Sequence, residues 1–155
     1  MLADAMWNVI ASQVDADRLM QTFGSFHDSC LKELAVQNRE FVDSSLAMSF
    51  DNKTFVRMLF QRQFNKASAI ELLFEDVVDF NWVQDERNSD PGMSIILQAV
   101  CLWENDMLYW AEDVDWQINS PDKNDYRWIS AKQCRWCIRE DALGPGTALC
   151  QPADL

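Results

Sequence analysis

The chain has 155 residues, 48% hydrophobic and 25% charged, with a formal net charge of −12. That length and composition fit one globular domain able to bury a core without disulfide or metal staples. Twenty-five acids against 13 bases repel polyanions and anionic membranes alike, so nucleic acid is excluded and a basic partner, a cationic ligand or plain solubility is favoured.

The first 24 residues read as helical. Ala3 to Ser12 places Met6, Val9 and Ile10 on one face, with Trp7 beside them. Asp15 is expected to cap a second helix whose inward residues are Leu19, Met20 and Phe23, and Gly24 sits where an αL cap belongs. The period then changes to two. Strands are expected over Cys30–Gln37, around Leu46, Met48 and Phe50, over Phe55–Phe64 and over Ala69–Phe80, with a turn at Asp51-Asn52-Lys53.

A loop at Asn65–Ser68 would set Arg62 opposite Glu71 and Arg57 opposite Asp76, with Phe60 facing Leu73 and Leu59 facing Phe74. Each opposite-charge pair across antiparallel strands stabilises by about 0.2–1 kcal/mol. Gln84–Gly92 is a polar loop, and Met93–Trp103 a buried strand that turns at Glu104-Asn105-Asp106 into Met107–Ala111. Asn119–Asp125 is a further loop. Tyr126–Arg139 is the last strand region, with a break or bulge near Ser130-Ala131. Gly144-Pro145-Gly146 closes a single domain over 1–146, and 147–155 reads as a loose tail. Together these predict an α+β fold: N-terminal helices, then a mainly antiparallel, curled sheet or partly closed barrel of six to seven strands.

Candidate chemistry is sparse. The one histidine, His27, lies in Phe26-His27-Asp28-Ser29. It offers a histidine–aspartate pair for general-base work, although adjacent strand residues point to opposite faces. His27 and Asp28 are the weak catalytic candidates, set against a simple helix-to-strand corner. Cys134 and Cys137 form a C-x-x-C pair, but on a strand they face opposite sides, and Cys30, Cys101 and Cys150 are isolated. Neither Glu112-Asp113-Val114-Asp115 nor Asp122-Lys123-Asn124-Asp125 has the glycine and glutamate of a calcium loop. No metal site and no cofactor are expected. The segment 1–14 lacks the basic start and cleavage site of a leader, and no stretch approaches the ~18 apolar residues that span a bilayer, so a cytoplasmic location with reduced thiols is expected.

Acids and aromatics coincide. Glu71–Asp90 and Glu104–Asp125 each hold seven acids and one base, and five of the seven tryptophans lie between Trp103 and Trp136. Exposed indoles beside carboxylates suit capture of Lys and Arg from a partner. Trp116, which borders a loop, is expected to be exposed. Glu112, Asp113, Asp115 and Trp116 are therefore the candidate contacts for a basic protein.

Three stretches, Phe26-His27-Asp28-Ser29-Cys30-Leu31-Lys32-Glu33-Leu34, Tyr109-Trp110-Ala111-Glu112-Asp113 and Trp128-Ile129-Ser130-Ala131-Lys132, resemble small bacterial cytoplasmic proteins of unassigned activity. The aromatic-His-Asp lead-in to a first strand is also similar to immunity proteins of polymorphic toxin systems. That resemblance implies a non-enzymatic, immunity-like inhibitor of a basic partner, and carries no catalytic residues. The alternative is a carbohydrate or small-ligand barrel, which needs two carboxyls about 5–10 Å apart in a cleft.

Overall fold

The computed structural model describes residues 6–84 and 95–149. Its first element is a strand, which corrects the helix expected over Ala3–Ser12: β1 (Asn8–Ile10) pairs antiparallel with Trp136–Cys134. Val9 is exposed and Ile10 buried, the alternation of a strand. One α-helix follows, α1 (Gln13–Thr22), so a single helix stands where two were expected. Its cap is Ser12 rather than Asp15. Ser12 Oγ accepts the Asp15 N–H (3.2 Å) while the Asp15 carboxylate accepts the Ala11 N–H (3.0 Å). This is the reciprocal logic of a capping box, and the Ala11 amide is the first cause holding Asp15 below the usual carboxylate range. Ala16, Leu19 and Phe23 are buried, and Gly24 takes the left-handed φ of +56° that ends the helix as expected.

Six longer strands follow: β2 (Ser29–Asn38), β5 (Thr54–Arg62), β6 (Ala69–Asn81), β7 (Val100–Glu104), β8 (Met107–Ala111) and β9 (Trp128–Ile138). Between β2 and β5 in sequence lies a separate ribbon, β3 (Phe41–Val42) with β4 (Met48–Ser49). The main sheet runs β2-β5-β6-β9-β8-β7, with β1 also on β9, and all its pairings are antiparallel. The fold is thus α+β with a mainly antiparallel seven-stranded sheet, and the sheet is not closed. A single bridge joins its two ends: Ile96 N–H to the Ser29 carbonyl (2.8 Å) and Asp28 N–H to the Ile96 carbonyl (2.9 Å). The expected strand over Met93–Trp103 is confined to its end, because Ile95–Ala99 bends away to make this bridge. Beyond Gln84, the expected polar loop lies outside the described residues. Asn105 and Asp106 both have positive φ (53° and 56°), the two-residue hairpin turn matched to strand twist.

The β5–β6 register corrects the expected one by three residues. Val56 faces Phe74, Met58 faces Leu72 and Phe60 faces Ile70, all buried in one core with Phe23, Phe26 and Trp110. The expected register would turn Phe60 toward Leu73 and Met58 toward Glu75. It would drive a carboxylate into that core for two surface-type charge pairs. Burying one such side chain is worth about 1.5–3 kcal/mol, so burial wins over cross-strand pairs. Neither expected charge pair forms: Glu71 takes Arg57 diagonally (3.1 Å), Asp76 meets Lys53 (3.9 Å), and Arg62 lies over Phe23 and donates to the Ala67 and Lys66 carbonyls. The irregularity expected near Ser130-Ala131 falls across from it, where the register of β6 shifts between Val77 and Asp79.

The opposite face of the sheet is covered by the chain after β9. Glu71, 1% exposed, accepts from Arg57 and from Arg139 (2.6 Å), and Arg139 also clasps Asp141 (3.0 Å). Leu59 packs with Ala142 and Leu149. Within the expected tail, the Ala148 and Leu149 amides donate to the Glu33 carboxylate (2.5 and 2.9 Å). Residues 150–155 lie outside the described residues.

Both sheet edges are blunted. In β2 a bulge at Lys32 interrupts the ladder with β5, a common protection against edge-to-edge pairing. On β7 the Gln13 amide stands in for a neighbouring strand: Nε2 donates to the Cys101 carbonyl (3.1 Å) and Oε1 accepts the Trp103 N–H (2.8 Å). Gln13→Ala should cost about 1–3 kcal/mol in urea unfolding, because it strands two half-buried backbone groups. A loss no larger than that of an exposed neutral substitution would show that water satisfies this edge unaided.

Candidate functional site

The His27–Asp28 corner is built by unusual backbone. Gly24, Ser25, Phe26 and Asp28 all have φ between 54° and 61°. Phe26 is thereby turned into the core, its ring 4.8 Å from Phe60 and 5.7 Å from Trp110, and His27 is turned out. The left-handed Asp28 removes the strand geometry that would separate the two side chains. They do meet, contrary to the expectation from a strand: His27 Nε2 lies 3.3 Å from the Asp28 carboxylate, and Nδ1 is 2.6 Å from the Leu97 carbonyl. Both ring nitrogens are therefore engaged with oxygen. The imidazole is 65% exposed and lines neither of the two cavities described below. The pair tethers the 95–99 segment to the corner and faces open solvent.

Of the four described cysteines, Cys30 is exposed and the other three are buried. Cys101, Cys134 and Cys137 are buried, and burial pushes their thiols up, to about 12 for Cys101 and about 11 for Cys137. A nucleophilic cysteine needs the reverse shift. No group of three or more His, Cys, Asp or Glu side chains among the described residues could hold a metal ion. Two shallow cavities flank Glu75, of about 160 and 490 Å³. The smaller is lined by two carboxylates, Glu75 and Asp76, but each faces a base: Arg135 at 2.8 Å and Lys53 at 3.9 Å. Among the described residues, that pair gives no free acid and base for a sugar-cleaving cleft.

The acidic β8–β9 connection is ordered from within. Glu112 is ion-paired with Arg127 and also accepts its N–H (3.0 Å). The Asp113 carboxylate accepts the Asp115 N–H (3.1 Å), a turn that folds Trp116 back onto the sheet. Trp116 is 4% exposed, which corrects its expected exposure. Its indole donates to the Lys123 carbonyl (3.1 Å) and packs on Trp128 and Tyr109, at 5.4 and 6.1 Å between centroids. Glu112 and Trp116 thus build the loop, while Asp113 is half-buried and Asp115 is exposed with Asp122 and Asp125. These four surround Tyr126. Its phenol is raised above the ordinary tyrosine range, first by Asp113, then by partial burial and by Asp122, Asp125 and Asp115.

A second surface feature was missed by the sequence reading. Residues 39–53 form a finger between β2 and β5, with β3 and β4 as its ribbon. The Asp43 carboxylate holds the tip, accepting from the Ser45 N–H (2.8 Å), the Ser45 hydroxyl (2.7 Å) and the Ala47 N–H (3.1 Å). These donors, the Ser45 hydroxyl first, hold Asp43 below the usual carboxylate range. The finger exposes Phe41, Val42, Leu46, Met48 and Phe50, with Leu46 at 84% and Phe50 at 82%. Leu46, Met48 and Phe50 were expected to form the buried side of a strand. Apolar residues are assigned to a core by default, and the one contrary signal is the turn-forming run Asp43-Ser44-Ser45 inside them.

Comparison of the chain with protein families, with curated proteins and with solved structures finds no match in any of the three. No helix among the described residues is long and apolar enough to cross a membrane.

Proposed function

We propose that this chain is a non-enzymatic binding protein, an immunity-like inhibitor that docks its acidic face onto a basic protein partner. The observation that carries it is the cluster of carboxylates on the β8–β9 connection, with Asp115, Asp122 and Asp125 exposed and Asp113 half-buried. The −12 charge of the whole chain acts in the same sense over longer range. Fields of this kind speed encounter and select partners more than they add affinity.

The test neutralises the face. In Asp113→Asn/Asp115→Asn/Asp122→Asn/Asp125→Asn the Tyr126 phenol should ionise at lower pH than in the wild type, read by ultraviolet difference titration. The sign follows because removing carboxylates no longer disfavours the phenolate. A basic partner captured from the source cell should then associate at least about tenfold more slowly at low ionic strength, with the difference shrinking as salt rises. If the Tyr126 titration shifts and association does not change, the acidic face is a solvated surface and nothing more.

A further inference from the structure

Neighbouring strands run antiparallel, so the finger, which joins β2 to β5, and the acidic β8–β9 connection leave the sheet at the same end. The span between them carries exposed apolar residues beside Asp79. β6 pairs with β5 only as far as Phe74, and its remaining turn-out, Val77–Asn81, has β9 on one side alone. Val78, Phe80 and Trp82 are exposed there, and Phe80 stacks on Trp82 at 6.3 Å. This stretch is tied at both ends. Lys53 at the finger's base meets Asp76 (3.9 Å), and Asn81 donates to the Tyr126 carbonyl (2.7 Å) of the acidic loop. Exposed apolar residues therefore stand between the finger's base and the acidic loop, with Arg127 over the Trp82 ring at 4.9 Å.

We infer that the finger is the apolar anchor of the interface: Phe41, Leu46 and Phe50 enter an apolar cleft, rimmed by Lys and Arg, on a protein partner. It rests on the acidic-face proposal above. The rim chemistry follows from charge. The finger, residues 39–53, holds Glu40, Asp43 and Asp51; its two bases sit at its base, Arg39 on Asp51 (3.2 Å) and Lys53 on Asp76 (3.9 Å), which leaves the tip acidic at the same end as the four aspartates of the β8–β9 connection. A second copy would bring like charge to both surfaces, and an anionic membrane would do the same. Asp43 holds the tip in shape, so little ordering is left for binding, as in other preorganised anchors.

A random peptide library displayed against the wild-type protein tests this. Enriched sequences should combine aromatic or aliphatic residues with Lys and Arg. The selected peptides should lose at least about tenfold in affinity against Phe41→Ser/Leu46→Ser/Phe50→Ser at every salt concentration. They should lose affinity against the four-Asn variant mainly at low salt. All three finger positions are exposed, so unfolding temperatures should hold, and Asp43→Ala gives a second variant that loosens the tip with its apolar residues intact. Binding that ignores the finger but follows the aspartates overturns the anchor and leaves the acidic-face proposal standing. Binding that follows the finger but selects acidic or uncharged peptides, or ignores the aspartates, overturns both the rim and the acidic face. Failure to enrich any sequence, a concentration-dependent dimer abolished by the finger variant, or binding of phosphatidylserine vesicles through it each overturns the inference.

Discussion

Glu71→Ala should destabilise the fold by about 3–5 kcal/mol, the usual cost of breaking a buried ion pair from one side. Glu71 is 1% exposed and lies on the outer face of β6, directly between Leu59 of β5 and Cys137 of β9. Its carboxylate accepts from the Arg57 guanidinium (3.1 and 3.2 Å) and from Arg139 (2.6 Å). Alanine removes the acceptor while both guanidiniums stay largely buried. Arg139 keeps its pair with Asp141 (3.0 and 3.1 Å). Glu71→Gln keeps size and one acceptor and should lose less. Replacing Glu71, Arg57 and Arg139 together by Met should recover much of the loss, because the penalty belongs to uncompensated charge rather than to the site. Urea unfolding of the four proteins checks this. A triple variant as unstable as Glu71→Ala would mean that the network holds the chain after β9 by geometry, and that charge is incidental.

Trp116→Ala should cost about 3–5 kcal/mol, the range for removing a buried tryptophan. Trp116 fills the space between Tyr109, Trp128 and Tyr126 under the acidic loop and donates to the Lys123 carbonyl at 3.1 Å. Trp116→Phe keeps most of the packing and loses that hydrogen bond, so about 1 kcal/mol is expected. A docking tryptophan on the surface would behave the other way, with normal stability and weakened binding. Guanidinium unfolding therefore separates the two roles before any partner is in hand. A Trp116→Ala protein as stable as the wild type would return this residue to the interface.

Local features were legible in the residues. The left-handed Gly24, the two-residue turn at Asn105-Asp106, the strands from Ser29, Thr54, Ala69 and Trp128, and the opposed sides of Cys134 and Cys137 all follow from rules that span a few residues. Features that depend on a distant partner were not. β1 is three residues long, and only β9 makes it a strand rather than the first turn of a helix. The β5–β6 register was read from charges, the weaker term, whereas the core sealed by α1 and β8 decided it. The His27–Asp28 pair forms because four left-handed residues, the buried Phe26 among them, turn the chain at that corner.

The candidate site divides along the same line. An acidic, aromatic-rich β8–β9 connection was visible as composition; on it Asp115 is exposed and Asp113 half-buried. Trp116 and Glu112 belong to its interior, because a loop that carries so much charge still needs an apolar anchor and a counter-ion to hold its shape. The finger was hidden because its apolar residues are those of a core strand in every respect but location.

By itself the sequence determined the class of the fold, local turns such as those at Gly24 and Asn105-Asp106, and the sign of its net charge. Those depend on side-chain period, on backbone preference and on summed charge, and none needs to know which segments meet. The tertiary structure alone decided which apolar residues are inside. Trp116 is buried and Phe50 is exposed, although the two are similar in hydrophobic character. A side chain leaves water only where another element arrives to cover it. That arrival is set by long-range strand pairing, which no local pattern records.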